Sequence, residues 1–257
     1  MSKCKTWLLN WVKLQQKGGG IEPTGTAEIT ENGLFDVSEY AYADVNIPSI
    51  NIDDYISKDL MTNANSASVS ATYMIRLIKK LNSPLTLSDG TSLMYAFYEM
   101  RSLVELPEIT NISTVTNMEN MCVNCKSLVT IPNWNTESLT NLRQTFNNCD
   151  KIVTFPAWDT SHVTSFNQTF RNCFLLANVP ILNMSVATDI QNMFYKCSAL
   201  TETSLDNILQ SCINANPNLG NKTLAYMGFD STSQPKATIQ ALPHYNDFVS
   251  AGWVIGY

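Results

Sequence analysis

The feature that most constrains this chain is an internal repeat of 24 residues. Four units align without a gap: NMENMCVNCKSLVTIPNWNTESLT from 117, NLRQTFNNCDKIVTFPAWDTSHVT from 141, SFNQTFRNCFLLANVPILNMSVAT from 165 and DIQNMFYKCSALTETSLDNILQSC from 189. Cys125, Cys149, Cys173 and Cys197 share one column, and Cys122, Phe146, Phe170 and Phe194 share another. Leu128, Ile152, Leu176 and Leu200 form a third; Pro132, Pro156 and Pro180 form a fourth, which Ser204 breaks. An earlier unit, from Ser92, is one residue longer and puts Phe97, Met100, Leu103 and Pro107 in the matching places. Self-similarity at a fixed period of this length marks a stacked-repeat architecture.

Each unit has a physical reading. Met118, Met121, Cys122 and Cys125 fall at i, i+3, i+4 and i+7, which predicts a short helical turn with one buried face. Leu128 to Ile131 is a short β-rich run that Pro132 ends. Trp134 and Leu139 add apolar contacts on a return leg rich in Asn, Thr and Ser. One such unit buries too little apolar surface to offset the entropy of ordering its backbone, so neighbours must stack. The expected fold is an α/β repeat solenoid of 24-residue units, with helical caps and a small N-terminal β module. The expected divisions are a tether and Gly linker at 1–20, the β module at 21–59, a cap at 60–91, the array at 92–203 and a second cap at 204–257. The first cap rests on Tyr73, Ile75, Leu77, Ile78 and Leu81, which suggest a helix before Pro84. In the second, Leu205, Ile208, Leu209, Cys212 and Ile213 predict a helix with Ser204 as N-cap and Asp206 favouring its dipole. Phe248, Val249 and Trp253 suggest a further helix and strand.

The units resemble BspA-like leucine-rich repeats, which read roughly VTNMxxMFxxCxxLxxLxxxxxxTSxVTNM. The matches are Val115-Thr116-Asn117-Met118, Met121, Phe146-x-x-Cys149, Asn192-Met193-Phe194-x-x-Cys197 and Thr160-Ser161-His162-Val163-Thr164. The resemblance spans about 110 residues; it implies a scaffold used mostly by surface or adhesion proteins and assigns no chemistry. The chain departs from the pattern by placing Pro where many members continue LxLS. ITENGLFDVSEYAYADVNIP resembles a segment of phage and prophage structural proteins. SLDNILQSCINA, NKTLAYMGF and AGWVIGY resemble the closing segment of repeat proteins encoded in phages and prophages of gut-type bacteria.

The first twenty residues carry four lysines and no acid, so their charge is +4 within a chain of net charge −6. Trp7, Trp11 and Leu14 fall at i, i+4 and i+7, with Leu8 and Val12 beside them, and predict one apolar helical face. Three readings stay open: a helix packed on its own domain, an anchor docking on a partner or assembly, and a membrane-surface segment. Asn10 and Lys13 interrupt the apolar run, which argues against a signal peptide. Gly18-Gly19-Gly20 makes a flexible joint. Beyond it, Thr26–Thr30 and Leu34–Val37 flank Asn32-Gly33, a type I′ hairpin signal. A third extended stretch, Tyr42 to Ile47, ends at Pro48. Residues 22–59 hold nine acids against Lys58, a locally acidic face.

Composition narrows function. Apolar residues make up 44% and charged residues 15%, which excludes a disordered chain. An acidic pI of about 4.9 argues against nucleic-acid binding. Only two histidines are present, His162 and His244, so a His-rich metal centre and a His-based triad lack support, and no Walker, HExxH, GxSxG or GxGxxG motif occurs. His162 reads as an exposed loop residue and His244 as a cap of the last helix. Cys122-x-x-Cys125 has a zinc or redox spacing in isolation, but the columns make both positions buried apolar ones. The expectation is reduced, buried thiols at Cys125, Cys149, Cys173 and Cys197, with Cys4 the accessible one. Asn124, Asn148 and Asn172 read as residues that satisfy backbone groups at each turn.

The candidate binding surface consists of the outward columns. These are Glu119, Arg143, Asn167 and Gln191; Asn120, Gln144, Gln168 and Asn192; and Thr130, Thr154 and Asn178. Trp134 and Trp158 read either as packing between coils or as an exposed aromatic pair for protein or glycan contact. The expected function is non-catalytic and without cofactor or metal: a multi-copy virion structural or surface protein, held to other virion proteins by Trp7, Leu8, Trp11 and Leu14. It would present its repeats to a host surface protein or glycan, and bind no nucleic acid. A prophage-derived adhesin on the bacterial cell surface is the alternative, and an enzyme with a cryptic site a remote one.

Overall fold

The computed structural model describes residues 92–257 and, ahead of them, the strand residues 44–45, 80–81 and 85–86. From Ser92 onward the 24-residue stretches lie side by side and run parallel. Bridges join Ser92 to Asn117, Asn117 to Asn141, Asn141 to Ser165 and Ser165 to Asp189 in one continuous line. Each coil has three legs. On the first, N–H groups donate to the next coil, as in Cys122 N to Thr145 O and Phe146 N to Thr169 O. On the second, they donate to the preceding coil, as in Val129 N to Val104 O and Ala177 N to Val153 O. On the third, Thr140 N, Thr164 N and Thr188 N donate to Thr116 O, Thr140 O and Thr164 O, and the hydroxyl of each bonds the same carbonyl. Buried backbone groups must find partners, and here the neighbouring coil supplies them.

The first leg is not helical. Met121 N bonds Met118 O and Cys125 N bonds Cys122 O, giving two successive turns in which Asn120 and Asn124 take φ of 56° and 65°. A left-handed residue at every fourth place cannot continue an α-helix, and the alternate N–H groups are spent on the next coil. Four-residue turns have nearly the period of a helix, so the burial is the same: Met118, Met121, Cys122 and Cys125 are all inaccessible. The left-handed pair recurs as Gln144 and Asn148, Gln168 and Asn172, and Asn192 and Lys196. Half of these ten places, counting Tyr95 and Glu99, carry Asn, the residue besides Gly that best tolerates this conformation.

The core lies between the legs as columns along the stack. Phe146 and Phe170 are stacked at 5.9 Å and 4°, and Phe170 and Phe194 at 5.6 Å and 13°. Leu103, Leu128, Ile152 and Leu176 are fully buried in a parallel column.

Two strand pairs precede the array: β1 (Asp44–Val45) is parallel to β2 (Lys80–Leu81), and β3 (Leu85–Thr86) to β4 (Ile109–Thr110). The helix expected to end at Leu81 is not present there; Lys80 and Leu81 are strand. Pro84 disfavours helical geometry in the residue before it, and this short segment pairs with a neighbouring strand. A 3-10 turn, Ile112–Thr114, accommodates the extra residue of the first coil. The tether residues Trp7, Leu8, Trp11 and Leu14, Cys4, the hairpin at 26–37 and the apolar run Tyr73 to Ile78 lie outside the described residues.

At the far end, α1 (Glu202–Ile213) buries Leu205, Ile208, Leu209 and Cys212. Its N-cap is Thr201, whose side chain accepts from Ser204 N, and the acid in its first turn is Glu202. Ser204, expected as the cap, instead lies inside the helix and serves the preceding coil: its hydroxyl donates to Ala177 O and accepts from Val179 N. Ser211 Oγ likewise accepts from Leu182 N. Helix α1 thus replaces a second leg, and two hydroxyls take up N–H groups that another coil would have bonded. Residues 223–229 continue the first-leg ladder, accepting from Asn192 N and Phe194 N. Within them Gly228 has φ of 92°, and a Cβ there would stand 2.6 Å from Tyr195 N, so only glycine fits. Helices α2 (Lys236–Gln240) and α3 (Tyr245–Ser250) pack on α1. Val254 then pairs parallel to Thr223. Phe248 and Trp253 are buried, but Val249 faces solvent.

Candidate partner-binding surface

The aromatic pair is interior. Trp134 and Trp158 are 9% and 4% exposed and stack at 5.6 Å and 18°, and Trp158 Nε1 donates to Pro132 O. Phe155 and Phe146 meet Trp158 at 5.1 and 5.9 Å. An aromatic pair of this size is worth more inside a core than in water, so the coils close over it. Of the two readings of this pair, packing between coils is the one the burial bears out, and the two rings drop out of the candidate contact surface.

The cysteine column is interior too. Sγ of Cys125, Cys149, Cys173 and Cys197 donates to the carbonyls of Phe97, Cys122, Phe146 and Phe170, each at 3.0–3.1 Å. Every thiol thereby satisfies a buried carbonyl of the preceding coil. Burial pushes the Cys122, Cys149, Cys173 and Cys197 thiols up from their ordinary value; at Cys125 burial acts the same way, but hydrogen bonds with Cys122 and Cys149 outweigh it and lower the thiol to about 5. These are free thiols that pack as small hydrophobes.

The asparagine column does something the sequence reading did not foresee. Asn172 Nδ2 donates to Asn148 Oδ1, Asn148 Nδ2 to Asn124 Oδ1, and Asn124 Nδ2 to the Glu99 carboxylate. The side chains bond one another along the stack rather than capping backbone.

The outward columns divide. Thr130, Thr154 and Asn178 are exposed on the second leg, and Asn178 Nδ2 donates to Thr154 Oγ1. Beside them runs an exposed apolar stripe, Val104, Val129 and Val153, each 40–42% accessible. On the first leg, Arg143 and Gln191 face solvent, and Glu119 pairs with Arg143 at 3.8 Å. Asn167 and Asn120, expected outward, are only 7% and 9% exposed. Asn167 is drawn in by a bond from its Nδ2 to Asp189 Oδ2. The Oδ1 atoms of Asn167 and Asn147 are buried and have no partner; leaving such an acceptor unsatisfied costs about 1–3 kcal/mol. The sequence reading missed Arg171, Tyr195 and Lys196. Arg171 and Lys196 lie 5.3 and 5.4 Å from the centre of the Tyr195 ring. The signal was there in the columns, where Val123 and Asn147 change to Arg171 and Tyr195.

The two histidines separate as well. His162 is exposed and contacts Ser161. His244 occupies the N-cap place of α3 but makes no side-chain cap bond; its Nδ1 lies 2.7 Å from Asp206 Oδ2. Asp206 thus ties α3 to α1, and borders a cavity of about 330 Å³ lined by Glu202, Thr203, Thr238 and Leu242 among others. Among the described residues no helix is long and apolar enough to cross a membrane.

Residues 91–208 match the model of a family described as Mycoplasma protein of unknown function, DUF285. That family is related to the BspA-like surface repeat proteins. The match spans the coils and the first part of α1. No curated protein sequence matches the chain.

Proposed function

We propose that the protein is a non-catalytic display module: an α/β repeat solenoid of leucine-rich-repeat type, carried on a virion as a structural or surface protein and offered to a host or partner surface. The observation that carries this reading is the division of labour within the repeat. Core columns hold Phe, Leu and Cys at fixed places, while outward positions such as Glu119, Arg143 and Gln191 change from coil to coil. A scaffold that keeps its interior regular and varies its surface suits recognition rather than turnover. The resemblance of ITENGLFDVSEYAYADVNIP to phage structural proteins supports the virion setting. The segment with Trp7, Leu8, Trp11 and Leu14 is the proposed attachment to other virion proteins, with the repeats in several copies per particle. Truncation of residues 1–20 tests this. The full chain should co-purify with particles and the truncated chain should stay in the soluble fraction; equal incorporation of both would defeat the tether. The relation of the matched family to surface repeat proteins favours a second reading, an adhesin on the bacterial surface. Immunolabelling of cells and of purified particles separates the two.

A further inference from the structure

One column is fixed by the backbone and left unused by the fold: Asn120 lies buried at its start, while Gln144, Gln168 and Asn192 are half-buried at the surface. Asn120, Gln144, Gln168 and Asn192 follow one another along the stack, each with φ between 53° and 56°. None of their side-chain amides bonds another protein group among the described residues. Toward one end stand Arg171 and Lys196 at the Tyr195 ring. Arg101 and Arg143, by contrast, are paired with Glu99 and Glu119, so the cations of this leg that have no acidic partner among the described residues gather at one end of the amide row.

We propose that this row binds an acidic oligosaccharide. The proposal rests on the display reading and narrows it to one face and one ligand class. Each amide offers two donors and an acceptor, which matches the paired donor and acceptor character of sugar hydroxyls. Coils repeat at about 4.8 Å, so the amides recur at an interval that an extended chain of sugar rings can follow. A sugar carboxylate pairs with the planar guanidinium of Arg171 and with Lys196. Two cations are too few to hold a nucleic-acid backbone. The row also lacks the apolar pockets that give an extended peptide its specificity.

The full-length protein is titrated with three acidic oligomers: alternating glucuronic acid and N-acetylglucosamine, polysialic acid, and alginate. Dextran oligomers and poly-glutamate serve as comparisons, with calorimetry and side-chain amide NMR as readouts. At least one acidic oligomer should bind and shift the amide signals of Gln144 and Gln168. The double variant Gln144→Ala/Gln168→Ala, with its melting temperature unchanged, should bind at least about tenfold more weakly. Arg171→Ala combined with Lys196→Ala should abolish the preference for acidic over neutral sugars. Binding of poly-glutamate as tight as that of the sugars would overturn the proposal, as would binding that leaves the row's amides unshifted or failure of all three acidic oligomers. Capture by host cells that persists in both variants would also overturn it, while leaving the display reading intact.

Discussion

Asn148 joins the two devices that hold this chain in register. Its backbone takes φ of 62°, and its amide bonds Asn124 and Asn172. Replacement by Ala removes both bonds and leaves a Cβ in a left-handed conformation that costs about 1–2 kcal/mol, without the polar side chain that lets Asn adopt it. Replacement by Gly removes the same bonds but tolerates the φ. Asn148→Ala should therefore lower stability by about 1 kcal/mol more than Asn148→Gly, read from urea unfolding midpoints; equal losses would mean that φ is not what selects Asn there. Residues of this kind were only half legible beforehand. The recurrence of Asn124, Asn148 and Asn172 marked a column, but a sequence carries no sign of φ. Nothing in it showed that the amides would bond each other instead of the backbone. The tryptophans were ambiguous for a related reason: Trp134 and Trp158 occur at the same place in consecutive units whether they pack inward or point out.

Helix α1 gives the clearest test at the level of a single element. Its apolar spacing was visible as Leu205, Ile208, Leu209 and Cys212, because a lone amphipathic helix announces itself by period. Its cap was not, since Thr201 and Ser204 are both good N-cap residues and only the neighbouring coil decides between them. Thr201→Ala removes a cap and should cost about 0.5–2 kcal/mol. Ser204→Ala strands the buried Val179 N–H and should cost about 1–3 kcal/mol, more than a residue with no partner outside its helix. Hydrogen exchange locates the effect: Ser204→Ala should speed exchange at Val179, whereas Thr201→Ala should act on Ser204 and its neighbours. The first leg of each coil carries the opposite lesson. Met118, Met121, Cys122 and Cys125 have helical spacing, yet four-residue turns with left-handed Asn reproduce that spacing while sending N–H groups sideways. Periodicity reports which side chains are buried together and is silent on where the backbone hydrogen bonds go.

Across the whole molecule, stability at high pH depends on three buried thiols that stay protonated. Burial raises Cys122, Cys149 and Cys173 above the ordinary value of 9.0. A group raised in the folded state contributes stability that is present below its unfolded value and is lost as pH climbs past it. The urea midpoint should fall once pH exceeds about 9, the ordinary thiol value; a midpoint that rises above that pH would mean these three thiols are not shielded. The repeat period itself was fully legible, because in-register stacking demands that each column keep its chemistry. The caps and the outward face were less so, since they answer to neighbours rather than to a period. The central claim, that successive coils stack in register, is tested most directly by sulfur anomalous diffraction from crystals of the protein. Cys125, Cys149, Cys173 and Cys197 should give four peaks on one line, spaced by about 4.8 Å. Peaks scattered through the molecule, lying at its surface, or paired at disulfide distance would contradict it.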